Sequence, residues 1–100
     1  METITLEKYG HIISDSSLGG SILNDISSAL SKGKAVTVDF QNVISMATFC
    51  SKQIFGSLYI RLTPQVFFDK IRMVNASSDM KIIVRLGIEK ALSDQEVLVS

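Results

Sequence analysis

The sequence predicts a small single-domain α/β fold, a mixed β-sheet with about three main helices packed on it. Three observations predict it. First, Ala35–Leu62 reads as a buried strand, a short crossing loop and an amphipathic helix. Val36, Val38 and Phe40 sit two apart on one strand face, and Phe55, Leu58, Tyr59 and Leu62 recur at i, i+3, i+4 and i+7. Second, segments of these two periods alternate along the chain, the pattern of helices crossing between strands of one layer. Third, 100 residues with 46% hydrophobic side chains suffice for one core and one domain, residues 1–100.

The elements follow in order. Thr3–Glu7 alternates as a half-buried strand with Ile4 and Leu6 inward. Tyr9-Gly10-His11 reads as a turn, after which Ile12-Ile13 begins a short strand expected to pair back as a hairpin. Asp15, Ser16 and Ser17 offer caps for a helix whose stripe is Leu18, Ile22, Leu23, Ile26 and Leu30, with Gly33 placed to end it in a left-handed conformation. The Val36–Phe40 strand and a Thr48–Leu62 helix come next, the latter preceded by Ser45 and Thr48 as hydroxyl caps. Pro64 stops that helix and opens a new turn over Gln65–Asp69. Ile71–Val74 is a third principal strand. Asn75–Asp79 forms a loop and cap, with Asp79 near the positive end of a helix carrying Met80, Val84, Ile88 and Ala91. Residues 93–100 read either as a last short strand or as a frayed tail.

Composition narrows the function. Ten basic residues balance ten acidic ones, so no clustered charge argues for nucleic acid or an anionic membrane. Mean hydropathy is +0.30, yet the apolar runs are too short for a bilayer span, and Met-Glu-Thr does not begin a secretory signal. The single cysteine, Cys50, suits a reducing cytoplasm. His11 is the only histidine, so a paired imidazole metal site and a serine–histidine–acid triad are both out of reach of one chain. No metal, cofactor or catalytic residue is assigned.

Asp39 reads as a loop acid that fixes the Gln41–Asn42 turn through its backbone. Cys50 reads as a small buried side chain. Ser16–Ser21 has the small residues of a phosphate loop but lacks the lysine and the spacing. Of the adjacent aromatics Phe67 and Phe68, one plugs the core while the other can face outward as an anchor.

Tyr9-Gly10, the helix ending in Gly33, Val38-Asp39-Phe40, Asn42-Val43, Thr48-Phe49, Phe55-Gly56 and Ile71–Asn75 form an ordered set from Tyr9 to Leu92. In that set the chain resembles a bacterial family of small STAS-like domains of unknown function, related in outline to anti-sigma factor antagonists. The resemblance implies helices on one side of the sheet and a role in protein–protein regulation. It also implies a phospho-acceptor at the start of the helix after the central strand, switched by a partner kinase with a histidine-kinase-type ATP-binding fold. That position falls at Thr48, with Ser45 and Ser51 as neighbours, and the implied partner surface is Ser45, Met46, Ala47, Phe49 and Lys52. The family's Asp-Ser-Ser-Gly signature is replaced here by Met46-Ala47-Thr48-Phe49.

The expected function is therefore a cytoplasmic, non-enzymatic module that binds a protein partner through the Ile44–Ser57 loop and helix. The alternative is a small-ligand or nucleotide sensor using the helix starts at Ser16 and Thr48 as anion sites.

Overall fold

Val36, Thr37 and Val38 are all buried, and the strand they begin, β3 (Val36–Asp39), is the middle one of three. β1 (Glu2–Thr5) pairs with it on one side and β5 (Ile71–Val74) on the other, both in parallel. The structure is a computed structural model and describes residues 1–99. Its register aligns Ile4, Val38 and Met73 in one row across the sheet and Thr3, Thr37 and Arg72 in the next. Successive rows point to opposite faces. Ile4 and Val38 belong to the hydrophobic core and Met73 packs against it, whereas Thr3, Thr5 and Arg72 are exposed. The helices thus cover one face only.

This is the small α/β domain that the alternating periods predict, but two elements differ from expectation. The sheet is not mixed: every strand pairing among the described residues is parallel. Nor does Ile12-Ile13 form a hairpin. β1 stops at Thr5, and Leu6–Tyr9 coils into a single 3-10 turn that takes the chain off the sheet. The short strand β2 (Ile12–Ile13) instead meets β4 (Ser45–Met46) in parallel, with Ile13 opposite Met46. The His11 carbonyl accepts from the Ile44 N–H at 2.7 Å, and the Ile13 carbonyl accepts from the Ala47 N–H at 2.8 Å.

α1 (Ser16–Ser31) is capped by Asp15, whose carboxylate accepts from the Leu18 N–H at 2.8 Å. It buries Ile22, Ile26 and Ala29. Gly33, at φ 78°, closes it: its N–H bonds to the Leu30 carbonyl while the Lys34 N–H reaches back to Ala29. These paired bonds need a left-handed residue at that position, which glycine supplies without strain. Pro64 opens α4 (Pro64–Lys70), and α5 (Ser78–Val99) starts where the Ser77 hydroxyl accepts from the Met80 N–H. Residues 93–99 continue α5 rather than form a last strand.

Thr48–Leu62 is one continuous helical run with an irregular middle. α2 (Thr48–Ser51) passes through a π-helical segment, Lys52–Gly56, into α3 (Ser57–Leu62). The irregularity answers to α5. A π turn bonds i to i+5, so residues five apart come into line. Ser51 and Gly56 are five apart, and both face α5. A Cβ on Gly56 would stand 2.7 Å from Ala91 Cβ and 2.8 Å from the Gly87 carbonyl oxygen. A Cβ on Gly87 would stand 2.6 Å from the Ser51 carbonyl carbon and 2.7 Å from the Lys52 nitrogen. The helices therefore cross backbone to backbone, and the Ser51 hydroxyl donates to the Ile83 carbonyl at 2.8 Å across the contact.

Gly19 is a different case. The three nearest atoms to a Cβ there all belong to the end of the Gln53 side chain, Oε1 first. Gly19→Ala displaces that flexible group and its bond to the Ser16 carbonyl, worth about 1 kcal/mol, and gains about 1 kcal/mol of helix propensity. Urea unfolding should place Gly19→Ala within about 0.5 kcal/mol of wild type.

Candidate functional site

The loop from the end of β3 to α2 is pinned at its base by Asp39. Its Oδ1 accepts from the Asn75 side-chain amide and from the Gln41 N–H, both at 2.9 Å. Asn75 and Asn42 both adopt positive φ, 58° and 63°, so each strand end turns sharply at this point. Asp39 thus joins the exits of β3 and β5, a structural role. Its bond from Asn75, and secondly that from Gln41, hold the carboxyl below its ordinary value of 3.8. A carboxyl depressed by folding stabilises above its unfolded pKa, and that stability is lost as pH falls through the folded value. In urea titrations the gap between wild type and Asp39→Ala should hold from neutral pH to about pH 4 and narrow below it.

Beyond the turn, the Asn42 carbonyl lies 2.8 Å from His11 Nδ1, which donates to it, and the Asn42 side chain donates to Glu7 at 3.1 Å. β4 then alternates as a strand must: Ser45 is exposed and Met46 is buried. Met46 accordingly leaves the predicted contact surface, because inward alternation takes it into the core.

At the start of α2 the N-cap is Ala47 (φ −64°, ψ 142°), and no side chain caps the helix. Thr48 is the first helical residue, one position too late for its hydroxyl to cap, and it is half-buried. Ser51 is fully buried at the α5 crossing with its hydroxyl engaged, so it leaves the set of candidate acceptors. Ser45 and Thr48 remain reachable.

Phe49 is 54% exposed although Cys50 and Ser51 beside it are buried. Ile44, at 72%, is more open still on the other side of β4. Each borders a surface cavity. One, of about 550 Å³, runs between Phe49, Lys52 and Ile60 on one side and Ala91 and Asp94 on the other. The second, of about 310 Å³, lies between Ile44, Ser45, Met80 and Ile82. Lys52 is ion-paired with Asp94 across the first. Ile44 opens the loop and helix expected from sequence to meet a partner, whereas Ile82, next to the inward stripe of its helix, was not singled out.

Cys50 packs beneath this corner, its thiol donating to the Asp15 carbonyl at 3.3 Å. Burial, and secondly the Asp15 charge, push its pKa up, the reverse of a reactive thiolate. Ellman's reagent should leave it unmodified in the folded protein and titrate one thiol in denaturing urea. The Asp15 carboxylate takes the Leu18 N–H at the start of α1, so an anion approaching the Ser16 end would meet a negative charge already in place. Among the described residues no three of His, Cys, Asp and Glu gather as metal ligands, and no helix is long and apolar enough to cross a membrane.

No protein-family model, curated protein or solved structure matches the chain.

Proposed function

We propose that this domain is a non-enzymatic, STAS-like regulatory module that binds a protein partner through the β4–α2 corner, with Ile44, Ser45, Phe49 and Lys52 as the contact. One observation carries the reading: Phe49, a large aromatic in the first turn of α2 next to the buried Cys50 and Ser51, stands 54% exposed, and Ile44 at the start of the same corner is exposed as well. Exposed aromatics rimmed by polar groups are the usual anchors of protein contacts. The partner class that the resemblance supplies is a kinase with a histidine-kinase-type ATP-binding fold, acting in the cytoplasm. Thr48 is its acceptor in this reading, since a phosphate there adds negative charge next to Phe49 and one helical turn from Lys52.

The test is photo-crosslinking in the native host from a benzophenone side chain at position 49, with exposed Ser28 on α1 as control. The expected result is one protein adduct specific to position 49. Thr48→Glu should then weaken binding of that partner about tenfold while Thr48→Ala changes it less than about twofold, both variants having wild-type unfolding curves. Identical labelling from positions 49 and 28 would remove the surface from consideration. A nucleotide that raises the melting temperature by several degrees, with no adduct formed, would favour a ligand sensor instead.

A further inference from the structure

We propose that the groove between α4 and α5 is a second docking surface, built to receive an amphipathic helix with an acidic flank from a protein partner. It lies on the flank of α5 away from the Ile82–Ile83 side that borders the β4–α2 corner, and encloses about 420 Å³.

One wall is a set of interlocked rings. Tyr59 meets Phe67 at 5.4 Å and Phe68 at 6.1 Å between centroids, and Phe67 meets Phe68 at 5.3 Å, all edge to face. Phe67 is fully buried and roots the set, while Phe68 stands 67% exposed. Phe68 is thus an exposed aromatic held by its neighbours before any partner arrives, which lowers the ordering cost of binding. The facing wall is the α5 stripe of Val84, Ile88 and Leu92, with the half-buried Met73 between the walls as an adaptable surface.

The rim supplies the charge. Lys81 and Arg85 stand one turn apart on α5, and Glu89, the only acid among the described residues that line the groove, is taken up by Arg85 at 3.8 Å. Lys81 has no ion-pair partner among the described residues. The rim is therefore net cationic in a chain of zero net charge, and a complementary occupant is acidic. Length points to a helix. From Lys81 to Leu92 the α5 wall extends about 17 Å, the span of three helical turns and of anchors at i, i+3 or i+4, and i+7.

The experiment selects a phage-displayed helical peptide library on the purified domain and measures enriched peptides by fluorescence anisotropy. Enriched sequences should carry the three-anchor apolar stripe with Asp or Glu on its edge. Phe68→Ser should weaken them about tenfold, and Lys81→Glu about fivefold at low salt. Replacing the peptide's acid by lysine should restore binding to Lys81→Glu. Both substituted residues are exposed, and unfolding curves of each variant serve as the check that it folds. No enrichment, enrichment of basic peptides, or binding indifferent to both substitutions would overturn the proposal. So would a wild-type dimer in sedimentation that Phe68→Ser dissociates, since the occupant would then be a second copy of the chain.

Discussion

Phe55→Ala is expected to cost about 3–5 kcal/mol of unfolding free energy, a large part of what a domain of this size commands. Phe55 is fully buried and stacks on Phe40 at 5.9 Å between centroids with the rings 24° apart. Phe40 follows directly on β3, so the pair ties the irregular helix to the middle of the sheet. Truncation removes the ring's transfer free energy and leaves a cavity whose walls, a strand end and a helix pinned by α5, are poorly placed to collapse. Phe68→Ala, at a ring 67% exposed, should cost less than about 1 kcal/mol in the same urea assay. A Phe55→Ala loss below about 1 kcal/mol would mean that this helix face does not pack on the sheet.

Gly87→Ala is expected to destabilise by about 2–3 kcal/mol even though alanine is the better helix former by about 1 kcal/mol. The added methyl would strike the carbonyl carbon of Ser51 and the nitrogen of Lys52, which are backbone atoms and cannot rotate aside. Relief requires the two helices to separate, which breaks the Ser51–Ile83 hydrogen bond and opens the Gly56–Ala91 contact. Ser51→Ala isolates the hydrogen bond and should cost about 1 kcal/mol. Equal stability of Gly87→Ala and wild type would sink the backbone-to-backbone account of the crossing. Beside the near-neutral Gly19→Ala, the pair separates a contact with a flexible side chain from a contact with main chain.

Much of the fold was legible because the core strands and helices carry long periodic signals. Val36–Phe40, the α1 stripe, the Gly33 stop and the Thr48–Leu62 helical run all emerge from spacing alone. What escaped is what spacing cannot encode. Leu6 is buried and continues the alternation of Ile4, so a strand over Thr3–Glu7 and a 3-10 turn beginning at Leu6 look alike. Two apolar residues after a glycine carry no direction, so Ile12-Ile13 suggested a hairpin when its partner was β4, only two residues long. Helical stripes are sought at i+3 and i+4, and the π segment hid the i+5 pair Ser51 and Gly56 that sets the α5 crossing. In the candidate site, Phe49 and Ser45 are open, as a contact surface needs, but Met46 and Ser51 were displaced by alternation in β4 and by the Gly87 contact. Phe67 and Phe68 divide as adjacent aromatics do, one inward and one outward.

The all-parallel pairing also has a bearing on how the chain reaches this state. Ile4 and Val38 are 34 residues apart, Val38 and Met73 are 35, and Ile13 and Met46 are 33. No sheet hydrogen bond can therefore form before a loop of that length has closed, and each closure carries its entropy before any contact offsets it. The helices, whose bonds are local, can flicker into place within microseconds, whereas the sheet has no hairpin from which to nucleate. β3 belongs to both of the crossovers that build the three-stranded sheet, so the ribosome must release it before any of those three strands can pair. Until β5 follows, one side of β3 has no strand to bond. That interval, rather than any moment in the life of the finished domain, is when the Val36–Asp39 edge is open to another chain.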